Sequence, residues 1–312
     1  MTTWQFPGSA PIDAFINLSA GSVALTAEPV EVTTVSLVPS KHGKDNDRLI
    51  SEVRVSLDDG RLEISGPKSL GLRRSSALDL TISMPAQSRC TVRTASADVS
   101  CMGNLAELDA RTASGDVTAA SVSGSTMVNT ASGDVWLEEA ASDVRVHTAS
   151  GDLNLLRAGG AVTVNTASGD VKVGIADSSV SVRTASGDVR LDSVRAGDTE
   201  ANTVSGDVSV AVAAGTGVYL DLSSMTGDIK SQLDEQPAGG DDVPLRVSCR
   251  TVTGDIRIVR APARPAGRQQ PPTPQSDGTD GTEGGPGANG HADAVSHADA
   301  DSNPDASRAD AS

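Results

Sequence analysis

The 312-residue chain carries 41 acidic and 25 basic side chains, a formal net charge of −16, and only 2% aromatic residues. This negative balance argues against unaided binding to nucleic acid, whose phosphates are neutralised by Lys and Arg. The scarcity of aromatic residues argues against the wide core of a β-sandwich or an α/β enzyme. We therefore expect a narrow core built from Val, Leu, Ala, Thr and Ser.

Neither the cysteines nor the N-terminal sequence indicates a disulfide-stabilised, secreted or membrane protein. Cys90, Cys101 and Cys249 are too few for a disulfide framework and have no matching His cluster, so we expect them to be small core residues. The start, MTTWQFPGSAPID, lacks the basic and apolar regions of a signal peptide, and the sequence contains no run of 18 apolar residues. These observations predict a cytoplasmic protein without membrane insertion.

Residues 1–88 alternate apolar and polar positions as short β-strands do, without a fixed repeat. The alternation is clear from Ile12 to Leu18 and on both sides of a turn at residues 58–60. A last strand ends at Met84-Pro85, where proline closes off ladder pairing. We predict that this part is an irregular β-strand cap.

From residue 89 the five-residue phrase TASGD recurs. It starts at Thr94 as TASAD, returns every 18 residues up to Thr184, and continues with looser spacing from Thr203, Ser224 and Thr251. Apolar residues occupy every second position before each phrase and again after it, but the two series are offset by one residue. Two successive side chains of a pleated strand cannot both point inward, so the chain cannot continue straight through the phrase. The phrase is therefore predicted to be a corner, with Gly making the bend and Asp accepting a backbone N–H.

The repeat predicts the architecture. A second bend, as at residues 158–160, would divide each unit into two short strands, and such units bury their apolar edges by stacking about 4.8 Å apart with parallel strands in register. The predicted fold class is all-β, a parallel β-solenoid (single-stranded β-helix) of 18-residue coils over residues 89–260, stacked in chain order. The position after the Asp is apolar in every unit: Val99, Val117, Val135, Leu153, Val171, Val189, Val208, Ile229 and Ile256.

Residues 261–312 are rich in Pro, Gly, Ser, Asp and Ala and have scarcely any large apolar residue. Such a segment cannot bury enough apolar surface to offset its loss of chain entropy. We predict a disordered acidic tail.

Three features together resemble a known family. They are the alternating N-terminal strands, the strand that ends at Met84-Pro85, and the run VRTASADV, RTASGDV, NTASGDV and HTASGDL. These resemble a bacterial family of β-strand-repeat domains of unknown function whose members are described as adhesins, over roughly residues 10–260. The resemblance implies a single-stranded β-helix with an irregular N-terminal cap and an adhesin-like role. It implies no catalytic residue and no cofactor.

The Asp of each phrase forms a column of carboxylates that repel by about 0.8 kcal/mol per pair even in water. A divalent cation such as calcium would relieve this repulsion. The alternative is that Asp is simply the turn residue, with nearby charges such as Lys172 and Arg190 offsetting it. The Gly-rich nonapeptide of calcium-binding rolls is absent, which favours the turn role. The candidate ligands are Asp116, Asp134, Asp152, Asp170 and Asp188.

The Ala of each phrase is expected to face solvent beside the corner. A straight column of small apolar groups is a candidate docking stripe for another protein or a second copy of the chain. The same column is equally what a tight corner would tolerate.

Thr148 and Ser150 share the parity of the inward Val144 and Val146, which places them inward or at the corner and disfavours a flat ice-binding face. The candidate docking stripe formed by the alanines of the phrases contains Ala113, Ala131, Ala149, Ala167 and Ala185.

The sequence offers no constellation typical of an enzyme. A polysaccharide-cleaving β-helix would need a loop-walled groove, clustered carboxylates and stacking aromatics, whereas Trp136 and Tyr219 are isolated. The outward position before the phrase holds Arg, Asn or His in eight of the nine units. We therefore predict a non-catalytic, cofactor-free scaffold or protein-interaction module, with a protein partner or self-association.

Two alternatives remain, a calcium-binding module and an acidic solenoid that mimics DNA. The interspersed Arg residues argue against the second, because they interrupt a continuous negative face. The irregular residues 1–88, an acidic loop at residues 234–242 and the tail all resemble caps. They favour a monomer or small oligomer over a filament.

Overall fold

The computed structural model describes residues 1–40, 46–67, 77–233 and 245–262. These residues belong to one compact unit, Met1–Pro265. Within them, twenty-three strands are joined in one continuous hydrogen-bonded sheet. The predicted acidic loop, and the predicted tail from residue 263 onward, lie outside the described residues.

The N-terminal strands continue directly into the solenoid. In chain order the elements are β1 (Thr2–Pro7), β2 (Asp13–Glu28), β3 (Val32–Pro39), α1 (Asn46–Glu52), β4 (Arg54–Asp58), β5 (Arg61–Ser65), β6 (Leu78–Pro85) and β7 (Arg89–Leu105). Strand β2 is a complete coil that stacks in parallel on β7. On its other side β2 pairs in parallel with β5 and β6. Antiparallel strands then form the outer layer, β4 on β5 and β3 with β1 on β6.

The hairpin between β4 and β5 turns where the sequence predicts it. Its two central residues, Asp59 and Gly60, have φ angles of 48° and 76°. Positive φ at both positions is the geometry that matches the twist of a two-residue hairpin. The turn therefore follows from local chemistry.

Each regular coil contributes one strand to each of two faces. The first face consists of strands that follow the phrase: β9 (Val117–Val122), β11 (Val135–Ala140), β13 (Leu153–Ala158), β15 (Val171–Ala176), β17 (Val189–Val194) and β19 (Val208–Val212). The second face consists of strands that precede it: β8 (Glu107–Arg111), β10 (Thr126–Asn129), β12 (Val144–His147), β14 (Val162–Asn165), β16 (Val180–Arg183) and β18 (Asp198–Asn202). Neighbouring strands are parallel and in register, as in Val144↔Val162. The predicted parallel β-solenoid is confirmed.

The core is a narrow stack of aliphatic columns. Val146, Leu155, Val164 and Val173 are almost completely buried, and so is the residue that follows the Asp in almost every unit. The exception is Ile229, which is 45% exposed. Its exposure reflects the position of its coil at the end of the stack.

The three cysteines are free and buried, as predicted. A hydrogen bond with the Cys101 side chain, followed by burial, raises the pKa of the Cys90 thiol well above its usual value. Burial, with a smaller contribution from Asp221, raises the pKa of Cys249 to about 12. These two thiols are therefore protonated and unreactive in the folded protein.

The last two coils do not stack in chain order, so that part of the prediction is wrong. The elements concerned are β20 (Val218–Thr226), β21 (Ile229–Ser231), β22 (Leu245–Thr253) and β23 (Ile256–Arg260). Strands β22 and β23 pair with β18 and β19 on one side and with β20 and β21 on the other. The coil of β22 and β23 thus lies between the coil of β18 and β19 and the coil of β20 and β21. The five residues between β19 and β20 cross two strand spacings, about 10 Å, and so leave room for the later coil.

Candidate interaction surface

The phrase is a corner in which Thr turns inward while Ala, Ser and Asp face solvent. Thr130 is buried and its Oγ1 accepts the Gly133 N–H at 2.9 Å. Thr148 is half-buried and its Oγ1 donates to the Ser150 carbonyl at 3.1 Å. Ser150 itself is exposed, as are Ser132 and Ser168. The alternation along the strand predicted the inward Thr correctly. It wrongly extended the inward direction to Ser, because Ala and Ser both lie on the convex side of the bend.

Glycine makes close stacking of the corners possible. At Gly169 φ is +140°, and a Cβ would lie 2.1 Å from the carbonyl oxygen of Gly151 in the preceding coil. No side chain fits within that distance, and the backbone conformation is one that L-residues rarely adopt. The backbones of successive corners therefore touch directly.

The Asp residues form a hydrogen-bonded ladder between coils. In each coil Oδ1 of the Asp accepts the backbone N–H of the equivalent Asp in the next coil, at 3.1 Å for the first pair and 2.8 Å for the last. The sequence predicted an Asp that accepts a backbone N–H, and the structure shows that the donor belongs to the neighbouring coil. We call this the Asp ladder. Its order is Asp98, Asp116, Asp134, Asp152, Asp170, Asp188, Asp207, Asp255 and Asp228.

The ladder explains why carboxylates can be stacked without a cation. All five candidate calcium ligands are exposed, and each already uses one oxygen to accept a backbone N–H. Among the residues that the structure describes, there is no group of three or more His, Cys, Asp or Glu side chains that could hold a metal ion. Calcium binding stays a prediction without a site geometry to favour it.

Replacing Asp152 by Ala is expected to lower the free energy of unfolding by about 1 kcal/mol, because the Asp170 N–H loses its acceptor. Asp152→Asn is the matched control, since its amide oxygen can still accept that bond while the charge is removed. We expect the Asn variant to lie within about 0.5 kcal/mol of the original protein. Urea denaturation would measure both. Equal losses for Ala and Asn would show that the charge, and not the hydrogen bond, matters.

An exposed apolar row runs along the corner beside the Asp ladder. The five predicted alanines are all exposed. The bridge between Ser205 and Thr253 places Val204 beside Val252, and the β20–β22 register places Met225 beside Val252. These three residues are 54%, 41% and 81% exposed. We define the apolar corner stripe as Ala95, Ala113, Ala131, Ala149, Ala167, Ala185, Val204, Val252 and Met225.

The larger members bear on the alternative explanation for the alanines. Val204, Val252 and Met225 occupy the same position of the corner as Ala149 and point into solvent. The corner therefore accommodates large side chains at this position. In these three coils tight geometry does not require a small side chain.

Much of the rest of the lateral surface is polar, although Trp136 and Leu156 of the first face are each 42% exposed. On the second face Arg183 contacts Glu200 at 2.9 Å, and His147 Nδ1 lies 3.4 Å from the Asn165 amide nitrogen. At the end of the ladder, Lys230 contacts Asp228 at 2.9 Å, and this hydrogen bond raises the pKa of Lys230. Arg183 and Lys230 thus offset negative charge locally at these two places.

Two surface depressions of about 290 Å³ each lie near the N-terminal strands. In the first, the Arg61 guanidinium stacks over the Phe15 ring at 4.0 Å and contacts Glu63 at 3.1 Å. These contacts pair the charged groups of Arg61 and Glu63 with each other. Within the described ranges, no helix has the length and apolar character needed to cross a membrane.

Comparisons with solved structures give low sequence identity over most of the chain. A candidate adhesin from Bacteroides fragilis is 17% identical, with 83% of this chain and 96% of that chain covered and a TM-score of 0.46. A candidate lipid-binding protein from Parabacteroides distasonis is 15% identical over the same shares, with a TM-score of 0.41. A second candidate adhesin from that organism is 11% identical, again over 83% and 96%, with a TM-score of 0.35. Likenesses this distant transfer no role to the chain.

No match was found among curated proteins. A family model does match, and it covers residues 15–259, which include the repeats and the N-terminal strands apart from β1 and the first two residues of β2. That span holds the whole Asp ladder. The chain belongs to the Toastrack DUF4097 family.

Proposed function

We propose that the chain is a non-catalytic, adhesin-like β-solenoid module that binds a protein partner along its apolar corner stripe. The observation that carries the proposal is the continuity of this stripe over nine coils, including exposed Val204, Val252 and Met225. Soluble proteins seldom maintain a continuous exposed apolar surface without a contact to make there.

The physical setting of the stripe suits a docking surface. Hydrogen bonds between successive coils, such as Ser150 N–H to the Ala131 carbonyl at 2.8 Å, hold its backbone rigidly. A rigid surface loses little conformational entropy on binding. The neighbouring Asp ladder would form a charged rim and favour partners that carry basic residues beside an apolar strip.

A triple variant with Ala131, Ala149 and Ala167 changed to Glu tests the proposal. The three positions are exposed, so the solenoid should stay folded while the stripe acquires three charges. We expect bound proteins to be lost in an affinity pull-down that retains them with the unmodified chain.

The matched control changes Met127, Thr163 and Ser181 to Glu, which adds the same charge to outward positions of the second face. This variant should retain the partners. If both triple variants lose the same proteins, charge and not the stripe determines binding. An unchanged partner set for the stripe variant would contradict the proposal.

A further inference from the structure

The C-terminal end of the solenoid is an unfinished layer. Strand β20 pairs only with β22, and β21 only with β23, within the described ranges. Leu220 and Leu222 pair in register with the fully buried Val247 and Cys249 of β22 but are themselves only half-buried. Their other side faces away from the stack. The core is therefore open at this end.

The backbone of β20 presents an unpaired edge. The Leu245 N–H donates to the carbonyl of Gly217 at 3.2 Å, so the groups of residue 217 point toward β22. Backbone groups alternate sides along a strand, so those of Val218, Leu220 and Leu222 point toward the open edge. Three N–H and three C=O groups are thus available to a further strand.

This edge lacks the protection that the outer N-terminal strands have. Strand β1 ends in Pro7, and the five-residue β4 carries Arg54 and Asp58. Prolines, charges and short length are the usual means of blocking edge pairing. By contrast, β20 reads VYLDLSSMT over nine residues with one charge, and its Tyr219 is 63% exposed.

The two segments that follow β21 and β23 in the sequence do not match the apolar row of this edge. Residues 234–244, DEQPAGGDDVP, contain two prolines and two adjacent glycines, which disfavour a strand. Residues 263–312 contain Val295 but no Leu, Ile, Met, Phe, Tyr or Trp. Neither supplies a row of apolar side chains to match Val218, Leu220 and Leu222. A second copy of β20 does supply one.

We propose that two copies of this chain associate end to end by antiparallel pairing of β20 with β20 about Leu220. In this register Val218 lies opposite Leu222 of the other copy and Leu220 opposite itself, so the two open cores become one. On the outward face, Tyr219 of each copy lies opposite Asp221 of the other copy. All six free backbone groups of Val218, Leu220 and Leu222 are then paired in each copy.

Charge selects this register over its neighbour. A shift by one residue in each strand keeps the apolar side chains inward but places Asp221 directly opposite Asp221 of the other copy, which is unfavourable. With the pairing centred on Leu220, each Asp221 faces a tyrosine and keeps its 2.9 Å contact with Arg250. The association is closed by its twofold symmetry and forms a dimer, in contrast to an open filament.

Charge substitutions at Tyr219 test the dimer without touching the apolar corner stripe. Tyr219→Glu would face Asp221 of the other copy, and we expect dimerisation to weaken roughly tenfold from the two like-charge pairs. Tyr219→Lys would face the same Asp221 with the opposite charge and should dimerise at least as tightly as the original. Because the side chain is exposed, both variants should fold alike. Sedimentation velocity of the full chain at several concentrations gives the dissociation constants.

Hydrogen exchange at the amides of Val218, Leu220 and Leu222 provides a second readout. Protection that grows with protein concentration supports the dimer. Protection that is independent of concentration would assign the edge to another segment of the same chain and overturn the proposal. A chain that stays monomeric at all concentrations, or a dimer unaffected by Tyr219→Glu, would overturn it as well.

Discussion

Replacing Gly169 by Ala is expected to lower the free energy of unfolding by about 3 kcal/mol or more. The new methyl group would lie 2.1 Å from the Gly151 carbonyl oxygen, and φ at this position is +140°. The corner must shift, but hydrogen bonds to the coils on both sides hold it. Denaturation by urea, followed by circular dichroism, measures the loss.

Gly8→Ala is the matched control for Gly169→Ala. Gly8 has a similar φ of +151°, but a Cβ there would meet no atom within 4 Å. It therefore isolates backbone strain, and we expect a loss of about 1 kcal/mol. Equal losses at Gly8 and Gly169 would mean that the contact between corners contributes little.

Leu155→Ala is expected to lower the free energy of unfolding by 2–5 kcal/mol, the range typical of a buried Leu truncated to Ala. Leu155 is completely buried and lies between Leu137 and Val173 in adjacent coils. The narrow core has few side chains that can move to fill the resulting cavity. Because each coil contacts only its neighbours, we also expect the denaturation curve to broaden or divide at the damaged coil.

The control for this cavity is the next residue of the same strand. Leu156 is 42% exposed, so Leu156→Ala removes the same atoms from a solvent-facing position. We expect a change within about 0.5 kcal/mol. A large loss from Leu156→Ala would contradict the assignment of inward and outward positions on β13.

The corner was only partly predictable from parity. Alternation from Val144 through Val146 correctly placed Thr148 toward the interior but extended the same rule to Ser150, which is exposed. The rule holds for a pleated strand and fails once the backbone bends. The bend begins before the glycine of the phrase. The spacing of the phrases therefore predicted which residues form the corner, but it did not predict the residue at which the side chains begin to face solvent.

The Asp ladder shows a similar division. Asp at a turn predicts a side chain that accepts a backbone N–H. Whether the donor lies in the same turn or in the next coil depends on how closely the corners stack. That distance is set by coil-to-coil contacts such as Gly169 on Gly151.

The 18-residue period was sufficient to predict coil size, parallel pairing and the inward columns, because one repeat equals one circuit of the coil and identical residues must then stack. The order of the last two coils had no such signal. Both carry the same phrase and the same alternation, so either can pair with β18 and β19. Packing selected residues 245–260, whose Leu245, Val247 and Cys249 are fully buried there, and left β20 as the open edge. Local periodicity specifies which residues stack, whereas the sequence of layers depends on long-range burial that no single segment encodes.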